Sequence, residues 1–209
     1  MTLQGVIYKG PPLENPAVLQ GLPGELFEVL WQVNGFIAYA GGLHVRGFLD
    51  TPEWHSFSRY HSGEMALRNL YPQLKKYDFP FGQDFLGNQF LLRDSEVFKL
   101  RADTGEVSSL HVDLSEFFEA AKKDPVSYLS LELLALFHEQ NGALDPGQLI
   151  HTMPPLCLKR EDKKLAMKAV PADNAIAFLA HFARQINEVP EGTEINLKLF
   201  KPPDGDPLQ

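Results

Sequence analysis

Asp103-Thr104-Gly105 spells the triplet of the aspartic proteases, and it is the most suggestive chemical grouping in this chain. That chemistry needs two carboxylates sharing one proton, hence two copies or a dimer, and an apolar strand leading into the triplet. Here one copy follows Leu100-Arg101-Ala102 and precedes Glu106, so a glycine-containing hairpin turn accounts for it. Seven histidines raise the question of a metal. His55 and His61 share one segment near Glu64, but H-E-x-x-H and any tight ligand cluster are missing, so no metal is expected. The single cysteine, Cys157, lies between Leu156 and Leu158, where a free thiol behaves as a small buried hydrophobe. Phosphate-cradling glycine loops and the G-x-S-x-G elbow are also missing, so no cofactor is expected.

One stretch has the composition of a binding surface. Between residues 50 and 61 the rings of Trp54, Phe57 and Tyr60 stand beside Asp50 and Glu53. Aromatic anchors ringed by charge are the usual anatomy of a protein interface. The same rings could instead close the core above a sheet, because aromatics bury large areas wherever they fall. On the first reading Trp54 and Tyr60 are the anchors, with Asp50, Glu53 and Asp84 as an acidic rim.

Charge points the same way. The net charge is −8. Residues 1–140 carry 11 Lys or Arg against 18 Asp or Glu, giving −7, and residues 141–209 carry 8 against 9, giving −1. Such a surface disfavours nucleic acid, whose binding needs basic groups, and favours a basic protein partner through steering. No apolar run approaches the roughly 20 residues that span a bilayer, and the N-terminal stretch has no secretory pattern. With one cysteine and no disulfide framework, a soluble, cytoplasmic setting is expected, with no membrane partner.

The elements that must position these residues centre on 81–110. Phe90, Leu91 and Leu92 form a continuous apolar run, which allows burial on both faces. In the run 97–101, Val97, Lys99 and Arg101 alternate with Phe98 and Leu100, and 107–110 is a shorter run. Asp84-Phe85-Leu86-Gly87-Asn88, Arg93-Asp94-Ser95 and Asp103-Thr104-Gly105-Glu106 supply the turns, giving an antiparallel meander. Ahead of it, Pro16 starts a short helix. A longer one opens at Leu22-Pro23 with Leu26, Phe27, Leu30 and Trp31 as one apolar stripe and stops at Asn34-Gly35. Residues 41–49 read as a strand, with His44 and Arg46 opposite Leu43 and Val45, and 64–74 as an interrupted helix.

Asp113 with Glu116 three residues on predicts a helix through Lys122-Lys123. A second helix should run from Asp124-Pro125 to Asn141-Gly142, with Leu129, Leu133, Leu136 and Phe137 inward. Residues 142–155 read as a loop and a boundary. Beyond it come a hairpin whose arms are 156–158 and 165–167, an amphipathic helix over 173–187, and a strand over 195–199. The fold class is therefore α+β: a central antiparallel meander flanked by helices, with a C-terminal ββαβ extension. The expected division is a core domain over 1–141 and an extension over 142–209 packed on the same domain.

The order of these features resembles the SUKH superfamily, which groups bacterial immunity proteins with fungal cell-wall-synthesis regulators and Syd-like proteins. The residues that carry the likeness are Leu22-Pro23 with its helix into Asn34-Gly35, Asp84-Phe85-Leu86-Gly87-Asn88, Val97-Phe98, Thr104-Gly105-Glu106, and 114–118, within about 17–140. One departure is Phe36, where the family often places a second glycine; here a pair follows only at Gly41-Gly42. The resemblance implies a non-catalytic domain that binds proteins and, in bacteria, neutralises a cognate toxin. The acidic core would suit a toxin with a basic working surface, such as a nuclease. An intracellular scaffold or regulatory module is the alternative, and a hydrolase would need a constellation assembled from distant residues.

Overall fold

The computed structural model describes residues 5–159, 165–190 and 192–193. Its centre is a seven-stranded antiparallel sheet whose spatial order repeats the chain order. The strands are β1 (Tyr8–Lys9), β2 (Phe36–Ala38), β3 (Leu43–Val45), β4 (Phe79–Asp84), β5 (Gln89–Arg93), β6 (Glu96–Leu100) and β7 (Val107–Ser109). The turn between β5 and β6 is carried by Asp94 and Ser95 at φ 49° and 63°. Two successive positive φ values match the right-handed twist of the strands, and the register pairs Arg93 with Glu96.

The apolar run in β5 is buried on both faces, as its composition predicts. Phe90 and Leu92 join Val97, Phe81, Leu43 and Val45 on one side, covered by helices α1 (Gly24–Gln32), α4 (Leu114–Lys123), α5 (Pro125–Leu129) and α6 (Glu132–Asn141). Leu91 and Leu100 face the other way, into a second cluster with Leu149, Val170, Ile176 and Ala180. That side holds α2 (Phe57–His61), α3 (Leu67–Leu70), the hairpin β8 (Gln148–Met153) and β9 (Ala166–Pro171), and α7 (Ala172–Ile186). The fold is α+β, a central meander with helices on both faces. No helix among the described residues is long and apolar enough to cross a membrane.

Local signals account for the element ends. Glu116 N–H donates to Asp113 Oδ1 at 2.8 Å and Asp113 N–H donates to Glu116 Oε2 at 2.9 Å, the reciprocal capping box that the spacing predicts. Gly87 and Gly105 stand at φ 86° and 74°, the left-handed region that a side chain resists. A Cβ on Gly87 would lie 3.3 Å from Leu149 and 3.4 Å from Leu179, and one on Gly105 would collide with the Gln73 amide. Valine at either position is expected to lower stability by more than about 1 kcal/mol. Urea unfolding measures this, and two valine variants as stable as the parent would contradict it.

Several expectations are corrected. The strand over 41–49 contracts to β3, because Tyr39–Gly41 form a 3-10 turn with Tyr39 and Ala40 at φ 52° and 55°. The expected helix over 64–74 survives only as α3. The helix after Asp124 is broken at Ser130, φ 56°, so the inward set becomes Leu129, Leu134 and Phe137 while Leu136 is exposed. In α1, Leu26 and Leu30 are buried but Trp31 is exposed. Residues 142–155 are not all loop, since β8 lies within them. The first hairpin arm is β8 rather than 156–158, because Pro154-Pro155 offer no N–H and end the ladder early. The predicted turn at Glu161-Asp162-Lys163-Lys164 and the predicted strand at 195–199 lie outside the described residues.

Candidate functional site

Two buried histidines meet beside Trp54. A 3-10 turn, Glu53–His55, follows Pro52, and Ser56 caps α2 through its hydroxyl, which accepts from Arg59 N–H. This local path turns His55 inward. Its ring lies edge to edge with that of His44 from β3 and nearly coplanar with it, with centroids 5.0 Å apart and planes 7° from parallel. His44 Nε2 and His55 Nδ1 are 2.8 Å apart. His55 Nε2 lies 3.3 Å from the Asn34 carbonyl, and the Gln83 amide nitrogen 3.4 Å from His44 Nδ1.

These partners fix one proton arrangement. The Asn34 oxygen can only accept, so His55 carries its proton on Nε2 and leaves Nδ1 to accept from His44 Nε2–H. His44 Nδ1 then accepts from Gln83. The Gln83 oxygen is held by Arg46 Nη2 at 2.5 Å, which sets the amide orientation. All four ring nitrogens are satisfied only when both rings are neutral. Burial, with the neighbouring His55 and then Arg46, holds His44 well below the usual histidine range. Burial likewise lowers His55 to about 4, against the opposing pull of the Asn34 bond.

Arg46, two residues along from His44, is 0% exposed. Its Nη1 reaches the carbonyls of Pro80 and Gly82 at 3.1 and 3.4 Å, and its Nη2 reaches the Gln83 and Gln89 side-chain oxygens at 2.5 and 2.6 Å. The guanidinium carbon lies 4.1 Å from the centre of the Tyr60 ring. Burial lowers Arg46 to about 10, so it stays cationic at neutral pH. Its charge is answered through Tyr60, whose hydroxyl donates to Asp173 Oδ1 at the start of α7. The other Asp173 oxygen accepts from Arg59 Nη2 at 2.7 Å. Strand, helix α2 and helix α7 are thereby tied by one chain of polar contacts.

The five residues expected to form a surface separate. Asp50 and Glu53 are exposed, and Glu53 pairs with Arg59 at 3.0 Å. Trp54 is half-buried, edge-on to Tyr8 at 5.0 Å and to His44 and His55, and wedged where a Cβ on Gly147 would lie 2.7 Å from its ring. Tyr60 is fully buried under Arg46, so it is no surface anchor. Asp84 is 2% exposed and clamps its own turn: it accepts from Leu86 and Asn88 N–H at 3.0 Å each and pairs with Lys99 at 3.2 Å. It is no rim charge. The reading in which the rings close the core holds for Tyr60 and largely for Trp54.

The other chemical candidates are also apart. His61 stacks between Phe57 and Phe79, away from His55, and Glu64 pairs with Arg59. Among the described residues no three His, Cys, Asp or Glu side chains are grouped to hold a metal. The Asp103 carboxylate accepts from Cys157 N–H at 2.9 Å and lies 3.4 Å from Arg101. Burial, then Asp103, pushes the Cys157 thiol up to about 12, which keeps it protonated. A cleft of about 90 Å³ opens there between Asn88, Arg101, Asp103, His151 and Leu156. It is far smaller than the roughly 300–1,000 Å³ of ordinary ligand pockets. The network around Arg46 was not assembled by sequence reasoning. Its trace is the set of polar residues at strand positions flanked by apolar ones: His44, Arg46, Gln83 and Gln89.

No family model matches the chain, and a comparison with curated proteins finds no match. Among solved structures it is similar to the crystal structure of Atu4351 from Agrobacterium tumefaciens, with a TM-score of 0.54 and 11% sequence identity. That likeness covers 84% of this chain and 85% of the other. At that identity it establishes the fold alone.

Proposed function

We propose that this chain is a non-enzymatic immunity protein of the cytoplasm that binds and neutralises a cognate bacterial toxin with a basic surface. The carrying observation is the contrast between interior and exterior. The groups with chemical potential, His44, His55, Arg46 and Cys157, are held in internal bonds. Most of the carboxylates that make residues 1–140 acidic, among them Glu14, Glu25, Glu28 and Asp50, lie exposed, while Asp78, Asp84 and Asp103 are buried. Polar groups that bond one another inside the protein hold its fold rigid, and an outward excess of one charge steers an oppositely charged partner. Of the motif residues behind the SUKH resemblance, Asp84 holds its own turn and Gly105 takes the positive φ of its hairpin.

The test mixes the purified protein with the purified product of the adjacent gene and follows binding at two salt concentrations. Tight binding is expected, with added salt slowing association far more than it speeds dissociation. Cells making that product should survive only when this protein is present. Absence of both binding and protection would overturn the reading and leave an intracellular scaffold as the better one.

A further inference from the structure

We infer that the outer face of α1, centred on Trp31, is the surface that docks a Lys- or Arg-rich segment of the basic toxin; this deepens the function proposed above and rests on it. Glu25, Glu28, Trp31 and Gln32 recur at i, i+3, i+6 and i+7, so they line one stripe of the helix, and all four are exposed. Leu26 and Leu30 occupy the opposite side and are fully buried. Trp31 is 42% exposed, and Val18, 47% exposed, belongs to the 3-10 turn Pro16–Leu19 that packs against α1. The face therefore presents an open indole on helical backbone, with an exposed aliphatic residue on the turn packed against that helix.

Charge selects the occupant. From residue 10 to residue 45 the sequence contains no Lys or Arg and three acidic residues, Glu14, Glu25 and Glu28. Among the described residues none of those three carboxylates lies in an ion pair. Glu53 and Glu64 pair with Arg59, Glu106 with Arg101, and Glu119 with Lys122. The α1 face is thus an acidic surface whose charge no described residue neutralises. An indole beside free carboxylates suits a cation: the ring attracts a guanidinium or ammonium over its face while a carboxylate accepts its N–H bonds. Phosphate-bearing ligands are repelled by the same charge.

Two other accessible rings among the described residues are differently placed. Trp54 is pinned by Tyr8 and the two histidines. Tyr77 follows Lys75-Lys76, and Lys76 Nζ lies 5.5 Å from its ring centre, so that ring already has a cation. Trp31 makes no ring contact with the described residues.

The experiment measures binding of the purified adjacent-gene product to the full chain and to three variants. Trp31→Ala is expected to weaken binding at least about 30-fold, as truncation of an interface anchor does. Glu25→Lys combined with Glu28→Lys should slow association about tenfold or more and flatten its salt dependence. Tyr77→Ala should bind as the parent does. All three change exposed side chains, and unaltered urea midpoints verify that they fold. If the parent binds and both α1 variants bind equally well, the α1 assignment falls while the immunity reading stands. If the parent itself does not bind, both fall together.

Discussion

Replacing Arg46 by alanine is expected to destabilise the protein by about 3–5 kcal/mol, the range seen when one partner is removed from a buried charged network. The guanidinium is fully buried and serves four acceptors from β4 and β5: the Pro80 and Gly82 carbonyls and the Gln83 and Gln89 side chains. Truncation leaves each of these without that donor in a site closed to water. It also uncovers the Tyr60 ring and removes the cation that answers Asp173. Lysine is no substitute, since one compact ammonium cannot span four acceptors that a planar fork reaches. With total stabilities of roughly 5–15 kcal/mol, the loss is a large share of the whole. Urea titration reads it as a fall in midpoint with an unchanged slope, and a loss below about 1 kcal/mol would refute this account of the network.

Acid is expected to act on the same region. His55 is lowered to about 4 and His44 well below its usual range, both first by burial. An unfolded histidine takes up its proton near pH 6.5. Above that pH both states are neutral and the two rings contribute no pH dependence. As pH falls below about 6.5 the unfolded state binds protons that the folded state refuses, so stability declines. The slope approaches about 1.4 kcal/mol per pH unit for each ring, and for His55 it levels off near its folded value of about 4. His61 and His151, lowered chiefly by burial, add in the same sense. Urea unfolding at pH 7 and pH 5 tests this; equal stability at both would show that the hydrogen-bonded pair is not held neutral.

What was legible in the sequence is what short-range chemistry decides. Asp94-Ser95, Gly105 and the Asp113–Glu116 pair each act within four residues, and each does in three dimensions what its spacing predicts. Elements that depend on distant partners were hidden. Strand β2 is three residues long directly after a turn, and β8 lies among prolines and glycines; both exist because a neighbouring strand supplies their bonds. The break at Ser130 carries no glycine to announce it. Site residues suffered most. Tyr60 and Trp54 look alike on paper, yet the rotation of a five-residue helix sends one wholly under Arg46. Trp31 was assigned to the buried stripe because it lies five residues after Leu26, but that spacing turns it some 140° around the helix, past the edge of the apolar arc.

A sheet whose spatial order repeats its chain order has a consequence for the protein's birth on the ribosome. Each strand from β2 to β7 leaves the exit tunnel after its preceding neighbour, so the sheet can lengthen at one edge without waiting for distant sequence. The helices that cover Phe90 and Leu92 are spread between α1 and α6, and the last of them is complete by Asn141. Leu91 and Leu100 have Tyr60, Leu67 and Tyr71 as early cover, but Leu149, Val170 and Ile176 come later. Part of their greasy side stays wet until β8, β9 and α7 have been made. Helix α7 therefore acts as a closing plank, and Asp173, meeting Tyr60 and Arg59 at its first turn, is the latch that holds it down.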